Sequence, residues 1–228
     1  MPPRPEKNAQ KHEVIAFPQP PGSRAVWLAG VLRQRLWGGA YRPDQWIREH
    51  ALRTEFGLSN GPVREALQLL VGEGLFERVP YCGIRVCALS DDEVVELFQL
   101  RLGLFELAAE LAARRRDPAV MARAPSVLDQ VRHNLFVTPG PTPGHLTGWV
   151  LEASGNRQLQ RSWERVAGLA RLYVYESVRR AADPEGMNKF AEELIAAIVA
   201  GKPVQAKKAV RNLTARQIKD LGLDLQLD

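Results

Sequence analysis

The chain has 228 residues, of which 45% are hydrophobic and 25% charged, and its formal net charge is +5. This composition is typical of a globular protein, and the length allows one large domain or two modest ones. No apolar run approaches the roughly 18 residues that a membrane helix needs, and no signal-peptide core is evident, so we expect a cytoplasmic protein that contacts no membrane.

The positive charge is concentrated in the N-terminal part of the chain. Residues 1–90 hold 12 Lys and Arg against 8 Asp and Glu, whereas residues 91–228 hold 19 against 18. An excess of positive charge on one segment is the electrostatic footprint of a nucleic-acid-binding surface. A difference of a few charges carries little weight without a motif.

The N-terminal part of the chain predicts a tail followed by two helices. Residues 1–22 are polar and Pro-rich, which predicts a disordered tail. Residues 24–37 place Leu28, Leu32 and Leu36 on one stripe and predict a first helix. Residues 46–56 predict a second helix, ended by a left-handed glycine at position 57.

The third predicted helix has two different faces. Ser59 is its expected N-cap, and Pro62 lies in the first turn, where a missing N–H costs nothing. An apolar stripe recurs at helical spacing, formed by Val63, Ala66, Leu67 and Leu70. A polar row follows the other side, formed by Asn60, Arg64 and Gln68. A core-held helix that presents polar side chains outward is what reading of the DNA major groove requires.

A β-hairpin and then a change of pattern follow this helix. Phe76–Val79 and Ile84–Ala88 predict two strands around a turn at Pro80–Gly83. Ser90, with Glu93 three residues later, predicts a strong new helix start. We therefore place a domain boundary near residue 89, between a winged helix-turn-helix domain (23–89) and a second domain (90–228).

The second domain has helical periodicity throughout. Turn residues separate predicted helices at about 91–115, 118–136, 145–154, 157–181, 184–200 and 203–221. The short connections predict an antiparallel all-α bundle. The expected fold class is thus mainly α, with three helices and a β-hairpin followed by a helical bundle.

The N-terminal half resembles the GntR family of bacterial transcription regulators. The resemblance lies in GxYxP (39–43), LxxxFG (52–57), LSxxPVREAL (58–67), EGL (73–75) and the PxxG wing (80–83). The segment LSDDEVVELFQLRLGLFELAAELAARR resembles the first helix of the FCD effector domain found in the FadR-type subfamily. Two later segments, LEASGN (151–156) and AAIVAGKPVQAKKAV (196–210), are similar to the FCD pattern as well.

The resemblance implies a homodimer that binds palindromic operator DNA, commonly as a repressor, and whose DNA affinity responds to a small molecule in the helical domain. It assigns a base contact to Arg64, a phosphate contact to Ser59 and close backbone approach to Gly83. A bidentate arginine–guanine pair discriminates by roughly 1–3 kcal/mol. The alternatives for Arg64 are a solvated surface charge or an ion pair with Glu65 or Glu73.

The other DNA-binding candidates are Asn60, Gly61, Gln68 and Arg85. Asn60 and Gly61 stand where the family usually has Arg-Thr, so one base or phosphate contact is lost or replaced. That departure affects operator identity more than DNA binding itself.

Many FCD domains bind a divalent metal through one Asp and three His. The matching positions here hold Pro143, Thr147, Ala191 and Leu213. None of these side chains offers a carboxylate or an imidazole. We therefore expect no metal and no other cofactor.

The expected effector-binding residue is Arg101, which falls inside the apolar stripe of the helix from 91 to 115. A buried guanidinium must be paired, and the resemblance implies pairing with an effector carboxylate. The alternative is a structural salt bridge to Glu152 or Glu164. Trp149 and Asn156 are further candidates for the effector site, although Asn156 is also a good helix cap. Trp163, Tyr173 and Tyr175 are aromatic residues that either line this site or belong to the core.

Two other functional classes compete with an effector-responsive regulator. One is a regulator whose helical domain is vestigial and serves only for dimerisation; a closed core favours it, and a cavity reaching Arg101 disfavours it. The other is an all-helical enzyme. We expect no enzyme, because the chain has no HExxH, no GxSxG and no phosphate-binding glycine loop.

Overall fold

The structure is a computed structural model and describes residues 22–133 and 145–224. The predicted tail lies outside this range, apart from Gly22. The chain opens with helix α1 (Arg24–Trp37), whose leucine stripe is fully buried as expected. Two further helices follow, α2 (Glu49–Phe56) and α3 (Asn60–Gly72). A left-handed glycine at position 57, with φ of 63°, ends α2 and allows the sharp turn into α3.

The start of the second helix differs from the prediction. Residues 46–47, expected to be helical, form a short strand β1 (Trp46–Ile47) that pairs with β3 (Gly83–Val86). Strand β2 (Phe76–Val79) pairs with the other edge of β3, which gives an antiparallel sheet in the order β1-β3-β2. A two-residue strand is too short to show a period, and only its distant partner defines it.

The second domain begins at α4 (Asp91–Arg115), which starts with the predicted capping box. The Ser90 side chain accepts a hydrogen bond from the Glu93 N–H, and the Glu93 carboxylate accepts one from the Ser90 N–H at 2.8 Å. These two bonds satisfy N–H groups that have no partner within the helix.

The remaining helices follow α4 in the chain, and several of them pack against it. Their bounds are α5 (Pro118–Met121), α6 (Ala124–Arg132), α7 (Leu146–Ser154), α8 (Arg157–Arg180), α9 (Pro184–Val199) and α10 (Pro203–Asp220). Helix α4 contacts α7, α8, α9 and α10 and is therefore the central helix of the bundle. A row of buried alanines on α4, at 108, 109, 112 and 113, permits this close approach.

The single helix expected over 118–136 is wrong, because a turn at residues 122–123 divides it into α5 and α6. Pro125 has no N–H to donate, and its ring would clash with the carbonyl of Met121 in a continuous helix. The helix therefore restarts with Pro125 in its first turn, where proline is tolerated. Residues 134–136 of the prediction lie outside the described part of the chain.

The two halves of the chain share a hydrophobic core. The core of the N-terminal domain extends onto α4, α8 and α10 through Val94, Phe98, Leu172, Tyr173 and Ile218. Because these side chains belong to the helical domain, the DNA-binding domain is docked on the bundle. Among the described helices none is long and apolar enough to cross a membrane.

Hydrogen bonds also join the two domains along α8. The Trp37 indole N–H donates to the Gly168 carbonyl at 2.9 Å, and the Leu89 N–H donates to the Tyr173 hydroxyl at 2.7 Å. Gly39, with φ of 75°, lies so close to the Tyr175 ring that an added Cβ would collide with it. Helix α8 is therefore the main bridge between the domains.

Candidate nucleic-acid interface and ligand cavity

Helix α3 separates its side chains into the two predicted faces. Val63, Ala66, Leu67 and Leu70 are fully buried in the N-terminal core. The residues at 60, 61, 64 and 68 are exposed on the opposite side. The apolar face is thus held rigidly while the polar face is free to contact DNA.

Arg64 is the most accessible cation on this face, with 66% of its side chain exposed. Its Nε donates to the Glu49 carboxylate on α2 at 3.0 Å. The partners considered from the sequence are not used, since Glu73 accepts from Arg33 instead. An exposed ion pair contributes about 0–1 kcal/mol, so Arg64 can exchange Glu49 for a base or a phosphate at little cost.

The turn before α3 presents free donors. Ser59 is the N-cap as predicted, but its side chain makes no capping hydrogen bond. Its hydroxyl and the N–H groups of the first helical turn are therefore available to an anion, and Asn60 and Gly61 are exposed beside them. This arrangement suits a DNA phosphate.

The wing contains two surface residues that sequence reasoning missed. Tyr81 is fully exposed at the hairpin tip with φ of 62°, next to Gly83 with φ of 123°. Arg78 is exposed on β2 and donates to the Gln68 side chain at 3.4 Å, which links the wing to α3. The position of Arg78 in a predicted strand of the wing could have identified it from the sequence.

Arg85 occupies a different environment from the one expected of a free DNA contact. It donates to Glu77 at 2.5 Å and to Asp44, and it lies 5.9 Å from the ring centroid of Trp46. Two carboxylates therefore neutralise its charge on the sheet. Its contact with DNA stays a prediction, and Arg78 is the more accessible wing cation.

A cavity of about 1070 Å³ lies between the two domains. The helical domain contributes lining residues from α4, α7, α8 and α10, among them Arg101, Phe105, Thr147, Trp163 and Leu213. The DNA-binding domain contributes Arg33, Trp37, Glu73 and Leu75. This volume is slightly above the upper end of the range that is usual for small-molecule sites.

Arg101 lies in the wall of this cavity and is only 7% exposed. It donates to the Gln217 side-chain carbonyl at 2.8 Å and lies between the rings of Phe98 and Trp163. Neither carboxylate considered from the sequence is its partner, and Glu152 pairs with Arg123 instead. Desolvation lowers the pKa of Arg101 to about 10, because burial penalises the charged form.

Arg171 is a second cavity cation that the sequence analysis did not single out. Its guanidinium lies 4.4 Å from the Trp37 ring centroid, and burial lowers its pKa. The pKa of His145 is lowered by burial and by the nearby charge of Arg171. The signal was present, because Arg171 follows Trp163 and Ala167 at four-residue intervals on an otherwise apolar stripe.

Two of the predicted effector residues are corrected by the structure. Trp149 is completely buried in the bundle core, where its indole N–H donates to the Val120 carbonyl at 2.9 Å, and it does not line the cavity. Asn156 is the N-cap of α8 and accepts hydrogen bonds from the N–H groups of Gln158 and Leu159 at 3.1 Å. The cavity uses Trp163 and Tyr175 instead, whereas Tyr173 contacts the linker between the domains.

The positions matched to the family's metal ligands do not suit a metal. Thr147 and Leu213 line the cavity, Ala191 is buried in the core, and Pro143 lies outside the described residues. Across residues 22–133 and 145–224, no group of three or more His, Cys, Asp or Glu is arranged to hold an ion. The absence of a metal and of any other cofactor stays a prediction.

The sequence matches a family model and several curated regulators. Residues 27–86 match the model of bacterial regulatory proteins, gntR family. The HTH-type transcriptional repressor GlaR of Escherichia coli K12 is 26% identical over 202 residues, covering 79% of this chain and 87% of GlaR. An uncharacterized HTH-type transcriptional regulator, YdhC of Bacillus subtilis 168, is 33% identical over 86 residues, but the match spans only 38% of its length.

Solved structures share the fold over nearly the whole chain. Escherichia coli McbR/YncC superposes with a TM-score of 0.71 at 20% identity, covering 88% of this chain and 98% of that one. A putative GntR transcriptional regulator from Rhodococcus sp. RHA1 gives 0.69 at 22% identity, covering 88% and 99%. Where the names of these proteins state a role, it is that of a transcriptional regulator or repressor. Residues 27–86 therefore match the DNA-binding domain of the gntR family of bacterial regulatory proteins, and the whole chain shares the fold of these solved structures.

Proposed function

We propose that this protein is a homodimeric repressor of the FadR-type subfamily with an FCD effector domain. Its winged helices bind a palindromic operator in the cytoplasm, and an organic acid in the interdomain cavity changes operator affinity. The helical domain's resemblance to the FCD pattern supports the subfamily, and the similarity to a protein named as a repressor, over 79% of this chain, supports the sign of regulation.

The observation that carries the ligand proposal is the position of Arg101. A buried guanidinium without a counter-ion is costly, yet this one lies in the wall of a large cavity with only an amide and two rings beside it. Arg101 forms no ion pair with any of the described residues. A carboxylate entering the cavity supplies the missing charge and forms the strong bidentate pair that arginine favours.

The cavity lies where a bound ligand can change the affinity of the protein for its operator. Its walls come from both domains, so a ligand that fills it interacts with their relative arrangement. A ligand shifts a conformational equilibrium only by its different affinity for the two states. Contacts on both sides of a domain junction supply such a difference.

A vestigial, ligand-free helical domain is the alternative. A closed core around Arg101 favours that reading, and the cavity of about 1070 Å³ disfavours it. The alternative predicts that Arg101 stabilises the fold through Gln217. The ligand proposal predicts that Arg101 is retained at a cost in stability.

The test starts from the full-length protein and an operator selected from random duplex DNA. Fluorescence anisotropy then follows operator binding while a panel of carboxylates is added. We expect at least one carboxylate to change the operator Kd of the wild type and not that of Arg101→Met. We also expect the ligand-free melting temperature of Arg101→Met to equal or exceed that of the wild type, because the substitution removes a buried charge.

Arg114→Met is the matched control, since Arg114 is an exposed arginine near the other end of α4. It should keep both operator binding and the carboxylate response. A wild type that ignores every carboxylate, together with an Arg101→Met protein that melts lower, would support the vestigial alternative and refute the ligand proposal.

A further inference from the structure

The cavity contains two partly or fully buried guanidinium groups without an ion-pair partner among the described side chains, those of Arg101 and Arg171. Arg171 has no ion-pair partner among the carboxylates of residues 22–133 and 145–224, and its described contact is the face of Trp37. Two cations in one cavity, each without a carboxylate partner among the described side chains, call for two negative charges.

The charge of the lining agrees with this count. Five arginines line the cavity, at 33, 101, 161, 165 and 171, against three glutamates, at 73, 152 and 164. Two of those glutamates are already paired, Glu73 with Arg33 at 2.5 Å and Glu152 with Arg123 at 2.6 Å. The formal net charge of the lining residues is +2, so the cavity as a whole attracts anions.

Arg101 of α4 contacts α8 near its start, whereas Arg171 belongs to α8 and lies further along it. Arg101 contacts Trp163 at 5.4 Å, and Arg171 is eight residues beyond Trp163 on the same helix. Eight residues of α-helix rise about 12 Å. The lining residues Ala167 and Leu213 are apolar, so this wall suits a hydrocarbon skeleton with an anionic group at each end.

The Arg171 end of the cavity is also the junction with the DNA-binding domain. Trp37 of α1 lies against the Arg171 guanidinium and donates its indole N–H to Gly168. Leu75 approaches Gly168 so closely that an added Cβ would lie 3.3 Å from its side chain. A group bound at Arg171 therefore contacts the surface through which the winged domain docks.

We propose that the effector is an elongated dianion that bridges the domains, with one anionic group on Arg101 and the other on Arg171 beside Trp37. This inference rests on the proposed function and adds to it the class of ligand and a second recognition residue. The ligand then acts beside the docking contact, since the guanidinium that would bind the anion also lies over the face of Trp37.

The test measures ligand binding to the full-length protein by isothermal titration calorimetry. The probes are linear dicarboxylates with chains of roughly four to ten carbons, chosen for the helix rise above, and the monocarboxylates of equal length. Carboxylates carrying a terminal phosphate monoester, and inorganic phosphate alone, show which anionic group the Arg171 end takes. We expect the best dianion to bind at least about tenfold tighter than its monoanionic match, the factor that about 1.4 kcal/mol provides.

Variants assign that preference to Arg171. Arg171→Gln should lose the tenfold preference and bind the dianion as weakly as the monoanion, whereas monoanion binding stays unchanged. Arg171→Lys keeps the charge and the fold, and it should retain a preference for the dianion. Arg179→Gln is the matched control on the exposed side of α8, where Arg179 pairs with Glu176, and it should behave as the wild type.

Other outcomes overturn the inference and are distinguishable from failure of the proposed function. Equal affinity for matched mono- and dianions, or a full dianion preference in Arg171→Gln, refutes the bridging ligand while leaving an Arg101-dependent effector intact. If no carboxylate or phosphate binds the wild type, the effector proposal itself fails, and this inference fails with it.

Discussion

At the scale of the residue, Arg64 and Arg101 differ in exposure and in the partners of their guanidinium groups. Arg64 is exposed and paired with Glu49, an arrangement that costs little to break. Arg101 is buried and paired only with an amide, an arrangement that a ligand anion improves. The same side chain thus suits DNA in one place and a carboxylate in the other because of exposure and partners.

Arg64→Ala should weaken specific operator binding by about 10- to 100-fold, the effect of losing roughly 1–3 kcal/mol of base discrimination. Binding to a scrambled duplex should change much less, because phosphate contacts dominate non-specific affinity. Gel-shift titrations of the selected operator and its scrambled version measure both. Arg114→Ala, which removes an equally exposed paired arginine far from α3, is the control. Unchanged specific binding would remove Arg64 from the interface.

At the scale of the element, the start of α4 is the best-defined junction in the chain. The Ser90 N–H and hydroxyl both donate to the Glu93 carboxylate, and these bonds lower the pKa of that carboxyl group. The link from the winged domain to the bundle is therefore held in one geometry.

This capping box makes a prediction about pH. Because the folded-state pKa of Glu93 lies below its unfolded value, its contribution to stability is present above the unfolded pKa and is lost as pH falls through the folded pKa. Glu93→Gln should thus unfold at lower urea than the wild type at neutral pH, and the difference should shrink in acid. Glu96→Gln, three residues further along the exposed side of α4, is the control. A difference that stays constant down to acid pH would contradict this role for Glu93.

At the scale of the whole molecule, α4 exposes apolar side chains that suit the proposed contact with a second copy. Leu100 and Leu107 are 55% and 44% exposed and lie seven residues apart, on the same face of the helix. A homodimer with operator half-sites related by symmetry requires a self-complementary interface, and exposed apolar side chains on the central helix suit one.

Leu100→Glu combined with Leu107→Glu should therefore shift the protein from dimer to monomer, because four like charges would meet across the interface. Light scattering after size-exclusion chromatography measures the mass, and gel shift should show a parallel loss of operator affinity. The control combines Val26→Glu with Val204→Glu. It adds charges at two exposed apolar positions on other helices and should leave the dimer intact. A double leucine variant that remains dimeric would place the interface elsewhere.

The sequence predicted the features that depend on nearby residues. The bounds of α1, α3 and α4, the two faces of α3 and the Ser90 capping box follow from short-range periodicity and capping chemistry. The buried position of Arg101 was also predictable, because a charged residue within an apolar stripe has no other place to point. These features are local, so one segment contains all the information they need.

Only the tertiary structure decided the features that join distant segments. Strand β1 exists through its pairing with β3, Trp149 belongs to the core through the Val120 carbonyl, and the cavity exists because α8 lies between two domains. The apolar stripe of a helix shows which side is buried but not which neighbour covers it. The winged helix-turn-helix domain could therefore be predicted from the sequence. The interdomain cavity, and the position of Arg171 in its wall, depend on how the domains pack.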